Sequence, residues 1–266
     1  MNVIETHQLT RQFGSFMAVN GVSLALQEGE IFGLLGPNGA GKTTMIKMLT
    51  TLLPPSGGSA TVAGYDIVTQ SALVRRSTGY VPQLLSADGN MTGYENLLIF
   101  AKIFDLPTNV REERIQRLLE MMGLQDAAKR MVKTYSGGMI RKLEIAQSVI
   151  HRPRVLFLDE PTVGLDPIAR ASVWQHIKRL RDEFNTTILL TTHYMDEADG
   201  LCQRIAIMHQ GQLAAIGSPQ ELKASVNGGA ADLNAVFGHF AGTALEATPG
   251  SYIETSRTRI NARRVG

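Results

Sequence analysis

The nine residues "GPNGAGKTT" (36–44) constrain this chain more than any other stretch. They fit the pattern Gly, four residues, Gly-Lys-Ser/Thr, which wraps a phosphate in backbone N–H donors. Side chains would block that approach, so Gly36, Gly39 and Gly41 stand where backbone must come close to an anion. Lys42 offers a positive charge for β- and γ-phosphates and Thr43 a hydroxyl for Mg²⁺; Pro37, Asn38, Ala40 and Thr44 complete the candidate set. Such a loop needs a strand before it and a helix after it. "EIFGLLG" (30–36) is a short apolar run with the pattern of a buried strand. "AGKTTMIKMLTTLL" (40–53) reads as a helix, stopped by Pro54-Pro55-Ser56-Gly57-Gly58 and aiming its positive end at the anion.

The rest of the chain follows this lead. Half-buried strands are expected over 59–68 and 78–81. From about 93 to 150 the pattern is helical: "REERIQRLLEMMGL" sets Ile115, Leu118, Leu119 and Met122 against a charged face, with the Met pair read as core filling. After Pro153 the α/β pattern returns with "RVLFLDE" (154–160), "TTILLTTH" (186–193) and a hairpin over 204–217 that turns near Gln210-Gly211. Strands alternating with helices predict a mostly parallel sheet covered on both faces, with the helical stretch inserted between sheet elements.

Composition excludes several classes. The chain has 266 residues, 44% hydrophobic and 19% charged, with a net charge of +2. That charge is too small to argue for nucleic acid or an anionic membrane. The basic run "RTRINARRVG" (Arg257, Arg259, Arg263, Arg264) reads as a solvated tail. Cys202 is the sole cysteine, so an intrachain disulfide and a Cys-based metal cluster are both out of reach. The richest apolar stretch, "LLIFAKIF" (97–104), is too short to cross a bilayer, and "MNVIETHQLTRQF" lacks the apolar centre of a signal peptide. The expectation is a cytosolic chain that borrows any membrane span from another.

Chemistry beyond the phosphate loop concentrates at strand ends. Asp159 closes an apolar strand, where it can hold Mg²⁺, and Glu160 beside it can polarise water. His193 closes another strand within reach of a γ-phosphate. "YSGGM" (135–139) opens a helix striped by Met139, Leu143, Ala146 and Ile150, with Ser136 as N-cap. Its two glycines weaken a first turn and suit a second anion site. A GTPase would carry an Asn-Lys-x-Asp base reader and a small-molecule kinase an arginine-rich lid; neither explains "YSGGM", "YVPQ" (80–83) or "GLDP" (164–167).

With these motifs in order, residues 3–223 resemble the ATP-binding-cassette family: phosphate loop "GPNGAGKTT", Q-loop "YVPQ", signature "YSGGM", Walker B "VLFLDEPT", D-loop "GLDP" and switch "TTH". The resemblance implies an α/β fold with a RecA-like P-loop NTPase core, an N-terminal antiparallel β subdomain and an inserted α-helical subdomain. It implies a nucleotide-binding domain over 1–223, the helical part about 84–150, and an extension over 224–266. By the same resemblance Phe13 would stack on adenine, with Phe16 the competing ring, and Glu160 would be the general base. Gln83 would contact Mg²⁺ or the attacking water and sense the transport partner, so the implied metal set is Thr43, Gln83 and Asp159. His193 would be the γ-phosphate switch and Asp166 a contact to the opposite subunit. The signature departs from Leu-Ser-Gly-Gly-Gln at Tyr135 and Met139 but keeps Ser136, Gly137 and Gly138, which would serve a nucleotide held by the partner chain.

The segments 202–223 and 232–242 are similar to the ends of ATPase subunits of ABC-2 type drug and antibiotic exporters. That resemblance implies ATP and Mg²⁺ as ligands, and a homodimer or pseudo-dimer of nucleotide-binding domains that engages no nucleic acid. A separate ABC-2 type membrane permease would hold it at the cytoplasmic face of the membrane. An importer ATPase and a soluble non-transport cassette are the alternatives.

Overall fold

Strands of one sheet alternate between buried and exposed positions while the central strands of the other are buried throughout, and that difference sets the architecture. The computed structural model describes residues 2–226 and 232–246. In β1 (Asn2–Phe13) and β2 (Phe16–Gln27), buried Ile4, Leu9, Val19, Val22, Leu24 and Leu26 interleave with exposed residues. Such strands cover a core on one side and meet water on the other. With β4 (Gly57–Val62) and β5 (Tyr65–Asp66) they form an antiparallel sheet in the order β2-β1-β4-β5.

The second sheet holds β3 (Ile31–Leu35), β6 (Thr78–Val81), β7 (Val155–Asp159), β8 (Thr187–Thr192), β9 (Arg204–His209) and β10 (Gln212–Gly217), in the order β10-β9-β3-β8-β7-β6. All its pairs are parallel except the hairpin β9–β10 at one edge. Every residue of β3, β7 and β8 is buried, because apolar side chains leave both faces. Phe32, Leu34, Phe157 and Leu189 pack toward the first sheet and helix α1 (Lys42–Leu49). Ile31, Leu35, Leu156, Leu158, Ile188 and Leu190 pack toward the helices of the opposite layer.

Helix α2 (Ser71–Ser77) leads into β6. Between β6 and β7 lie α3 (Gly93–Ile103), α4 (Thr108–Met121) and α5 (Gly137–Val149), the helical stretch expected from sequence. Thr92 and Glu95 close a reciprocal capping box at the start of α3. Ile115, Leu118, Leu119 and Met122 are buried as their spacing predicts, and Met121 with them. Helices α6 (Pro167–Phe184), α7 (Met195–Leu201), α8 (Pro219–Ala224) and α9 (Leu233–Glu246) complete the described chain. In α9, Leu233 and Val236 join the same core as α3–α5, an element the sequence did not announce. The basic run at Arg257–Arg264 lies outside the described residues. Among the described residues no helix is long and apolar enough to cross a membrane.

One helix ends earlier than expected. Helix α1 stops at Leu49 rather than near Pro54. The Thr50 hydroxyl donates to the Ile46 carbonyl at 2.8 Å, and Thr51 turns into the left-handed region at φ 62°. The Leu52 and Leu53 N–H groups then both return to the Lys47 carbonyl. A local side-chain bond and one left-handed residue therefore end the helix before proline does.

The core that fills the helical layer is continuous with the sheet. Leu119→Ala should therefore destabilise the folded protein by about 2–5 kcal/mol, read as a lower midpoint in urea unfolding. A shift confined to local signals of α4 would contradict that continuity.

Candidate active site

The phosphate loop is fixed at both ends by backbone. The Gly36 N–H donates to the Thr192 carbonyl of β8 at 3.3 Å, and the Gly211 N–H of the β9–β10 turn donates to the Ala40 carbonyl at 3.0 Å. Two of its glycines answer to packing as well as to an anion. A Cβ on Gly36 would lie 2.3 Å from the Met208 carbonyl oxygen; one on Gly41, at φ +105°, would lie 2.3 Å from that of Ala18. Lys42 is buried, and its Nζ donates to the carbonyls of Gly36 (2.7 Å) and Pro37 (3.1 Å).

The acids arrive from the other side. In the parallel pairing of β7 and β8, Asp159 stands opposite Thr191. The Thr191 hydroxyl donates to Asp159 Oδ1 at 2.6 Å and accepts from the Glu160 N–H at 2.9 Å. The Glu160 N–H also reaches the Thr191 carbonyl at 3.2 Å. These bonds hold Glu160 in the left-handed region, at φ 49°, a conformation that costs a side-chain-bearing residue about 1–3 kcal/mol. Thr43 Oγ1 donates to Asp159 Oδ1 at 3.0 Å, so Asp159 joins the phosphate loop to β8.

Glu160 gathers the remaining groups. Its Oε1 lies 3.2 Å from Lys42 Nζ, a nearly fully buried ion pair. Gln83 Nε2 donates to its Oε2 at 3.3 Å. His193 Nδ1 lies 3.2 Å from the same oxygen without hydrogen-bond alignment, so that contact attracts only when the ring is protonated. Tyr80 on β6 stays a neutral phenol, its pKa pushed up to about 12 by burial and then by the Asp159 charge.

A cleft of about 410 Å³ opens over this cluster, lined by Phe16, Ala18, Asn38 to Thr44, Gln83 and Glu160. Of the two aromatic candidates Phe16 lines it. Phe13 does not; its ring lies under the Arg11 guanidinium, 4.5 Å from the centroid. A larger groove of about 510 Å³ at Arg75, Arg76, Ile103, Phe104 and His151 contains none of the predicted residues.

Ser136, Gly137, Gly138 and Asp166 form a separate group, none of them lining the cleft. Ser136 Oγ accepts from the Met139 N–H at 3.3 Å as N-cap of α5. A Cβ on Gly137 would touch Leu165, and one on Gly138 would lie 3.0 Å from the Ala169 Cβ, so α5 begins against the start of α6. Asp166 caps α6, accepting from the N–H groups of Ile168 (3.0 Å) and Ala169 (2.9 Å).

Sequence reasoning missed Thr191. The available signal was its place in the "TTH" run, two residues before His193. Thr191→Val would keep the shape and strand propensity but take one partner from the buried Asp159 carboxylate, leaving it Thr43, and one from the Glu160 N–H, leaving it the carbonyl of residue 191. The expected cost is about 1–3 kcal/mol in chemical unfolding, and a variant as stable as the parent would show the hydroxyl to be dispensable.

Residues 19–163 match the ABC transporter family. The chain is 46% identical over 223 residues to the daunorubicin/doxorubicin resistance ATP-binding protein DrrA of Streptomyces peucetius, covering 84% of this chain and 67% of that protein. It is 43% identical to the "Probable multidrug ABC transporter ATP-binding protein YbhF" of Escherichia coli (strain K12), covering 84% of this chain and only 38% of that longer protein. Among solved structures, an ATP-binding subunit of an ABC transporter superposes with a TM-score of 0.80 at 26% identity, covering 90% of this chain and 99% of that one.

Proposed function

This chain belongs to the ABC transporter family, and from that premise we propose that it is the ATP-hydrolysing subunit of a drug- or antibiotic-type exporter. In this reading two nucleotide-binding domains close on ATP and part after hydrolysis, driving a separate ABC-2 type permease that holds them at the cytoplasmic face of the membrane. The observation that carries it is the cluster of Lys42, Thr43, Gln83, Asp159, Glu160 and His193 beside the phosphate loop, under the cleft that Lys42, Thr43, Gln83 and Glu160 line. The names of the two relatives, a daunorubicin/doxorubicin resistance protein and a multidrug transporter protein, favour export over import.

The chemistry follows from placement. Backbone N–H groups of Gly39, Ala40 and Gly41 and the Nζ of Lys42 would take the β- and γ-phosphates, while the helix start adds its positive end. Phe16, half of whose surface or more is open at the cleft mouth, would stack on the base. Thr43, Asp159 and Gln83 present an all-oxygen donor set, with Thr43 Oγ1 and Asp159 Oδ1 3.0 Å apart, which suits Mg²⁺. Bound there, the ion would offset charge on the phosphate oxygens. Glu160, oriented by Thr191, would accept the proton of the attacking water. His193 would hold the outer γ-phosphate oxygens, and Gln83 would place the water.

The Ser136–Gly138 turn would complete the partner's site. Its capped N-terminus offers N–H groups and lies outside the chain's own cleft, on the face that also carries Asp166. A head-to-tail pair would then enclose two ATP molecules, each between one chain's phosphate loop and the other's signature turn.

Glu160→Gln keeps the size of the side chain and removes the base. Turnover of ATP should fall by about 10²–10⁴-fold while ATP affinity stays near that of the parent, measured by phosphate release and equilibrium nucleotide binding. Near-normal turnover would remove Glu160 from the role of base.

A further inference from the structure

Between the end of β6 at Val81 and the start of α3 at Gly93 the chain carries Gln83 across open backbone, with no strand neighbour to hold it. What holds it is one turn of α5. Arg141, 2% exposed, donates from its two terminal nitrogens to the carbonyls of Pro82 and Gln83, each at 2.7 Å. It also pairs with Glu144, whose Oε2 lies 3.0 Å from Arg141 Nη1. Glu144 in turn accepts through Oε1 from the Ser86 N–H, the Ser86 hydroxyl (3.2 Å) and the Ala87 N–H (3.3 Å). The Pro82–Ala87 segment is thus gripped at both ends, while Leu84 and Leu85 between the grips project into solvent.

We propose that Arg141 and Glu144 are positioning residues that fasten the Gln83 loop to α5, so that Gln83 and the Ser136–Gly138 turn at the head of that helix move as one body. The inference rests on the role proposed above for Gln83. Stability alone does not account for this pair. A buried ion pair replaced by apolar groups of like volume is often neutral or stabilising, whereas a planar, always-charged guanidinium gives a separate nitrogen to each of two successive carbonyls and still faces a carboxylate. The consequence is mechanical. Gln83 contacts Glu160 in its own cleft, and the same backbone is bonded to the helix whose N-terminus, in the dimer proposed above, would face the other chain's nucleotide. A shift of Gln83 on loss of phosphate would then carry the signature turn with it.

The test is a double-mutant cycle in the full-length chain with MgATP, following kcat, KM and the fraction of chains that bind nucleotide. Arg141→Lys keeps the charge and loses the fork. It should lower kcat about tenfold or more, with KM within about twofold and full binding stoichiometry. Because Arg141 acts through Gln83, Gln83→Ala combined with Arg141→Lys should be no slower than Gln83→Ala alone. Multiplying effects, a fall in binding stoichiometry that accounts for the lost rate, or a parental kcat in Arg141→Lys would each overturn the inference while leaving the role of Gln83 intact. A parental kcat in Gln83→Ala would defeat that role and the inference with it. If Arg141→Lys does not fold, Glu144→Gln enters the same cycle with the same expected pattern.

Discussion

The register between β7 and β8 is the constraint on which the active cluster depends. Asp159 faces Thr191 across the parallel ladder, and one threonine hydroxyl then serves both acids, donating to the first and accepting from the backbone of the second. A slip of one residue would turn each side chain of β7 to the opposite face and break both bonds at once. Burial on both faces forbids the slip: Phe157 and Leu189 are committed to one layer, Leu156, Leu158, Ile188 and Leu190 to the other. Hydrophobic packing many residues long thus fixes the position of two carboxylates to within a hydrogen bond.

The same sheet explains why the chain presents two helix starts with glycine. The start of α1 is enclosed: its loop is pinned by β8 and the β9–β10 turn, and its lysine is buried among carbonyls and Glu160. The start of α5 is capped by its own serine and rests on α6 near Asp166, away from that cleft. Two such ends, one inside a site and one outside it, fit a protein whose sites are completed by a second copy. Arg141 and Glu144 bind the Gln83 loop to α5, and the Gln83 side chain meets Glu160 beside the start of α1.

Much of this was legible in the sequence because it rests on local pattern. Gly-x₄-Gly-Lys-Thr announces a strand, a tight loop and a helix; "VLFLD" and "TILLTT" read as doubly buried strands; Ile115, Leu118 and Leu119 mark a helix face. What escaped depends on partners distant in the chain or on single side-chain bonds. Nothing periodic tells that Thr191 will meet Asp159, 32 residues away, or that Arg141 will reach back 58 residues to Gln83. The early end of α1 turns on one threonine hydroxyl, and the presence of Phe16 rather than Phe13 in the cleft lining on which side of a hairpin turn opens there.

Sedimentation velocity on the full-length Glu160→Gln chain, with MgATP and with MgADP, reads whether the γ-phosphate joins two chains. Dimers are expected with ATP and monomers with ADP, since only the γ-phosphate can bridge one chain's phosphate loop to the other's Ser136–Gly138 turn. Monomers under both conditions, or a dimer indifferent to the nucleotide, would contradict it.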